Sequence, residues 1–231
     1  MTRVRTKVTP QKKRRIMLVD DHPIMREGLS QLIKLEPDFT VCAEAELASQ
    51  VESLVKQHAP DLLLLDISLP DKNGLEVIKD LKALYPGLPI LVLSMHDESL
   101  YAERVLRAGG RGYLMKHEGG RKLVAAMRHV LAGQIYVSEK MSARILELFS
   151  GRKSSESVSP VESLTDREFE VFQLIGRGKG TREIAEQLHL SIKTVEVHRA
   201  NMKHKLGVAT APELIRYAVR WVESQPAGSA I

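Results

Sequence analysis

The chain has 231 residues, 43% of them hydrophobic and 27% charged, which suits two globular domains and excludes a disordered or low-complexity protein. Its single cysteine, Cys42, excludes an intramolecular disulfide and a cysteine-based zinc site. The net charge of +5 is uneven: residues 1–15 carry seven Lys or Arg and no acid, and Ser191 to Leu206 carries four against one Glu. No apolar run reaches membrane-spanning length and the N-terminus lacks the apolar segment of a signal peptide, so a cytoplasmic protein without membrane contact is expected.

Ile16 to Val19 reads as a short buried strand ending on Asp20 and Asp21. Pro23 opens a helix that carries Met25, Leu29, Leu32 and Ile33 at helical spacing. Strand and helix patterns then alternate: Phe39 to Ala45, Ala48 to His58, Leu62 to Leu65, Leu75 to Leu84, Pro89 to Leu93, Ser99 to Ala108, Gly112 to Met115 and Arg121 to Leu131. Five such units predict a parallel sheet covered by helices on both faces. Ser138 to Phe149 reads as one further amphipathic helix bridging the domains, and Gly151 to Ser163 as a Ser- and charge-rich linker. The remainder is all helical pattern. Thr165 with Glu168 forms a capping box, Thr181 and Ser191 are expected to cap two further helices, Gly207 ends the second of these, and Pro212 opens a fourth.

Four predicted strand ends carry Asp20-Asp21, Asp66, Ser94 and Lys116, and open parallel sheets bind their ligands at that edge. Taken singly, Asp20-Asp21 also suits a helix cap, Ser94 a loop hydrogen bond and Lys116 a solvated surface. Converging in one cleft, clustered carboxylates repel and invite a hard divalent cation such as Mg²⁺. A cation, a lysine, a hydroxyl and a spare carboxylate are the tools of phosphoryl transfer.

Val19 to Pro23, Asp66 to Gly74, Leu93-Ser94 and Gly112 to Lys116 resemble the receiver domain of two-component response regulators. The resemblance implies a flavodoxin-like (βα)5 fold with strand order 2-1-3-4-5. It implies that Asp66 accepts a phosphoryl group from a sensor histidine kinase. Asp20, Asp21, Asp66 and the carbonyl of Ser68 would hold Mg²⁺, Lys116 would pair with the phosphoryl oxygens, and Ser94 and Tyr113 would be the switch residues. Ser68 and His96 match positions that tune aspartyl-phosphate lifetime. An aspartyl-phosphate phosphatase, the rival enzyme reading, needs a second Asp two residues after the nucleophile, where this chain has Ser68. A regulator that works without phosphorylation is the other rival, and the complete acid, hydroxyl and lysine set disfavours it.

Leu164 to Glu168, Glu183 to Ala185, Ser191 to Arg199 and Lys205 to Gly207 are similar to the LuxR-type helix-turn-helix, an all-α four-helix unit. The whole chain thus resembles the NarL/FixJ family of response regulators, which are transcription factors and not enzymes. The expected division is a basic disordered tail over 1–14, a receiver over 15–135, a linker over 136–162, the DNA-binding domain over 163–225 and a disordered tail over 226–231. Lys193, Thr194, Glu196, Val197, Arg199, Ala200, Asn201, Lys203 and Lys205 are the expected contacts to double-stranded promoter DNA, with Ile192, Val195, Met202 and Leu206 facing the core. Leu214, Ala218 and Val222 are the expected contacts of a homodimer formed on phosphorylation, and RNA polymerase is a further expected partner. Phosphorylation is expected to turn Tyr113 inward and to release a closed form in which the recognition helix is occluded.

Overall fold

The computed structural model describes residues 13–149, 160–188 and 190–224. The two expected tails, apart from Lys13 and Arg14, and residues 150–159 of the expected linker lie outside the described residues. The receiver runs β1 (Arg14–Val19), α1 (Pro23–Lys34), β2 (Phe39–Ala45), α2 (Ala48–His58), β3 (Leu62–Leu65), α3 (Gly74–Leu84), β4 (Ile90–Ser94), α4 (Glu98–Arg107), β5 (Gly112–Met115) and α5 (Gly120–Leu131). All strand pairs are parallel and the order is β2-β1-β3-β4-β5, as expected.

Strand period explains the two-sided burial. In β3, Leu62 and Leu64 join the core under α1 and α5, whereas Leu63 and Leu65 join the core under α2, α3 and α4. Each leucine is at most 2% exposed. After Leu65 the strand ends and the chain leaves the sheet at Asp66. The loop that follows is pinned at both ends. Asp71 accepts hydrogen bonds from the amides of Ala48 and Ser49 at the start of α2, at 2.8 and 2.9 Å. Asn73 caps α3 by accepting from the Leu75 amide at 2.6 Å. Gly74 is required by close approach, because a Cβ there would lie 2.7 Å from the Asp66 carbonyl oxygen and from Ile67 Cα.

Helix α6 (Glu139–Phe149) follows, packed on α4 through Met141. The C-terminal domain comprises α7 (Asp166–Gly176), α8 (Thr181–Gln187), α9 (Ile192–Leu206) and α10 (Ala211–Glu223). The predicted capping box is present: Thr165 Oγ1 accepts from the Glu168 amide at 3.3 Å, and Glu168 Oε2 from the Thr165 amide at 2.8 Å. Thr181, expected as a cap, is instead the first helical residue of α8, and Gly180 holds the cap position.

Two further expectations change here. Leu214 and Ala218 are fully buried against the rest of the domain, and Val222 is half-buried with its Cγ2 2.4 Å from where a Cβ on Gly176 would sit. Leu214 and Ala218, expected as dimer contacts, are therefore core within the domain. An apolar stripe shows that one helix face is covered without showing by what, and here α7 covers it. The recognition helix is also not occluded. The receiver meets the second domain through α7. Arg104 of α4 lies over the Phe169 ring, 4.4 Å from its centroid, and donates to the Leu164 and Val161 carbonyls and to Asp166. Lys79 pairs with Asp166 at 2.8 Å, and Asn73 donates to Glu170. The edge of α7 offers an aromatic ring and acids that match Tyr101, Arg104 and Lys79.

Candidate phosphoacceptor site and DNA-reading face

The strand ends converge as expected. Lys116 Nζ lies 2.7 Å from Asp66 Oδ2 and 2.8 Å from Asp20 Oδ2, and all three side chains are 3% exposed. Burial disfavours the Lys116 ammonium, but the two carboxylates outweigh it and hold its pKa above the ordinary lysine value. Burial pushes the Asp66 carboxyl above the ordinary carboxylate range, with Lys116 pulling against it. Arg26 of α1 donates to the Asp20 carbonyl at 2.6 Å and fixes the turn after β1.

Asp20, Asp21, His22 and Asp66 place ligand atoms within 4.8 Å of one another. Asp21 Oδ1 is buried without a hydrogen-bond donor; His22 Nδ1 lies 2.8 Å away. A carboxylate oxygen left in this state, among other acids, fits a hard cation such as Mg²⁺. His22, outside the expected metal set, also brings its ring nitrogen among these oxygens. Ser68 sits exposed at the rim, and its amide donates to Asp66 Oδ1 at 3.2 Å.

The switch positions are in place. Ser94 is fully buried and its Oγ accepts from the His96 amide at 3.2 Å. Tyr113 is 1% exposed and its hydroxyl donates to the His96 carbonyl at 2.8 Å. Burial raises its phenol far above the ordinary range. Tyr113 points inward in this structure, the orientation expected of the phosphorylated form; the His96 carbonyl supplies the partner that a buried phenol needs. Burial lowers the His96 pKa to about 4, with Arg177 and Lys116 adding to the effect, so the ring is neutral at neutral pH.

On α9, Ser191 caps the helix by accepting from the Thr194 amide at 3.0 Å, and Gly207 ends it at φ +67°. Val195, Met202 and Leu206 face the core. Ile192, expected beside them, is 45% exposed. Lys193, Glu196, Val197, Ala200 and Asn201 form the exposed face, with Thr194 and Lys203 half-buried at its margin. Two expected phosphate contacts are engaged inside the domain. Arg199 donates to Thr181 Oγ1 at 3.0 Å, and Lys205 pairs with the buried Glu168 at 2.6 Å. Both tie α9 to its neighbours, and the Glu168 carboxylate, 3% exposed, needs the Lys205 cation.

Comparison with known proteins agrees with this geometry. Residues 16–128 match the response regulator receiver domain, and residues 162–218 match the bacterial regulatory proteins of the luxR family. The oxygen regulatory protein NreC of Staphylococcus haemolyticus is 35% identical over 210 residues, covering 89% of this chain and 97% of that protein. NreC of Staphylococcus carnosus is 34% identical over the same shares. Among solved structures, the Salmonella typhimurium RcsB response regulator aligns with a TM-score of 0.65 at 26% identity, covering 91% of this chain and 98% of that one. A second RcsB structure, bound to the promoter rprA with the phosphomimetic BeF3⁻, aligns at 0.61 and 26% over 90% and 99%. The fold and the strand-end site thus define a response regulator, a receiver joined to a DNA-binding domain, and not an enzyme. The chain belongs to the NarL family of LuxR-type response regulators. Among the described residues, no helix is long and apolar enough to cross a membrane.

Proposed function

We propose that Asp66 is the phosphoacceptor of a cytoplasmic transcription regulator and that a sensor histidine kinase is its donor. The observation that carries this is the Lys116 ammonium held between Asp66 and Asp20 at the carboxyl edge of the sheet. An Asp66 oxygen attacks the phosphorus of a phosphohistidine, the P–N bond breaks, and the imidazole leaves. Lys116 and the Ser94 hydroxyl are the chain's own donors for the phosphoryl oxygens. Mg²⁺, held by Asp20, Asp21 and Asp66 with the Ser68 carbonyl, would neutralise the rest of that charge. The phosphorylated form dimerises on promoter DNA and acts with RNA polymerase. Asp66→Asn, incubated with phosphoramidate and Mg²⁺, is expected to take up no phosphoryl group; labelling equal to the native chain would exclude Asp66.

Lys193, Glu196, Val197, Ala200 and Asn201 are the proposed DNA-reading face, because they remain exposed on a capped helix. Thr194 and Lys203 flank them. Lys193→Ala should weaken binding to all duplexes alike and lower the slope of log affinity against log salt by about 1. An unchanged slope would remove Lys193 from the phosphate contacts.

A further inference from the structure

Between the phosphoacceptor loop and the DNA-binding domain runs an unbroken chain of side chains that phosphoryl transfer itself does not require. Ser68 Oγ lies 2.9 Å from His96 Nε2, which bridges the loops after β3 and β4 at the rim of Asp66. The His96 ring stacks on Tyr101 of α4, with centroids 4.8 Å apart and planes 25° from parallel. Tyr101 meets α7 twice: its ring packs edge-on against Phe169 at 5.5 Å, and its hydroxyl donates to Gln173 at 3.3 Å. Tyr101 is 1% exposed and Gln173 4%, so neither contact competes with bulk water. A cavity of about 270 Å³ lies beside this chain, lined by Asp21, Ser68 and His96 on one side and by Arg177 on the other. The approach to the acceptor therefore opens toward the DNA-binding domain.

We infer that Tyr101 is a positioning residue for the Asp66 reaction, through which docked α7 holds the His96–Ser68 bridge closed at the mouth of the site. This rests on Asp66 being the acceptor. When α7 leaves, Tyr101 loses two of its partners, the His96 ring loses its fixed platform, and the bridge opens. A small phosphodonor then reaches Asp66 more readily. Coupling of this kind is reciprocal for binding equilibria, so a phosphoryl group that parts Ser68 from His96 also loosens α7.

The test uses the full chain. Asp166→Lys reverses the pairs with Arg104 and Lys79 without touching the receiver sequence. It should raise the radius of gyration in small-angle scattering and speed phosphoramidate labelling of Asp66 about tenfold. Tyr101→Leu should speed labelling similarly, and the double variant should be no faster than either single one, because both act on one bridge. Tyr101→Phe keeps the ring stack and should label within about twofold of the native rate. An unchanged radius in Asp166→Lys, a raised radius with an unchanged rate, or multiplying effects in the double variant would each overturn the inference. If the native chain takes up no label that Asp66→Asn lacks, it is the acceptor assignment that fails instead.

Discussion

Replacing Lys116 by Met is expected to reduce phosphoramidate labelling of Asp66 by about 10²–10³-fold, the usual loss when one fixed donor to a developing anion is removed. The same change should destabilise the receiver. Lys116 is the cation between two carboxylates that are each 3% exposed, and removing one partner of a buried pair costs about 3–5 kcal/mol. The sign of the pH dependence follows. Without the ammonium, burial and the neighbouring Asp20 carboxylate act on Asp66 unopposed, so its folded pKa rises further above the unfolded one. The deficit is then full at neutral pH and shrinks as pH falls through the raised folded value, where a proton replaces the missing cation. Mg²⁺ should recover more stability in the variant than in the native chain, since a ligand that binds only the folded site stabilises it. Thermal melts across pH, with and without Mg²⁺, check this. Labelling and melting like the native chain would mean that Lys116 is an ordinary surface lysine.

Most of the receiver site was legible because strand chemistry is local. A four-leucine run has to be buried on both faces, so the residue that ends it has to stand at the sheet edge, and Asp66 does. The same holds for Asp20, Ser94 and Lys116. His22 was not singled out because its ring reaches these acids only through the turn after β1. Contacts across the sequence were less legible. Arg104 and Tyr101 sit on an ordinary amphipathic helix, and only the fold shows that Phe169, Gln173 and Asp166 cover them. Arg199 and Lys205 look like phosphate contacts because sequence shows their charge. It does not show that Glu168 pairs with Lys205, or that the Thr181 hydroxyl accepts a hydrogen bond from Arg199. The position of α7 rather than α9 at the domain interface is likewise a matter of shape and charge match between surfaces far apart in the chain.

The helix α10 stripe gives the other large expected effect, and it separates core from interface. Leu214 is fully buried, so Leu214→Ala should cost about 2–5 kcal/mol, from lost burial and the cavity left behind. Ile215, one residue on, is 41% exposed, and Ile215→Ala should stay within about 1 kcal/mol. Trp221, the only tryptophan in the chain, lies on the same helix, 5.5 Å from both Phe169 and Phe172, and its fluorescence reports melting of this domain. The expected result is a lowered Trp221 melting transition for Leu214→Ala, with DNA binding lost in step with unfolding. Ile215→Ala should melt like the native chain. If Leu214→Ala instead melted normally and altered only the concentration dependence of dimerisation, α10 would be turning its Leu214 face toward a second copy when the regulator is active. The packing of α10 on α7 would then belong to the resting form alone.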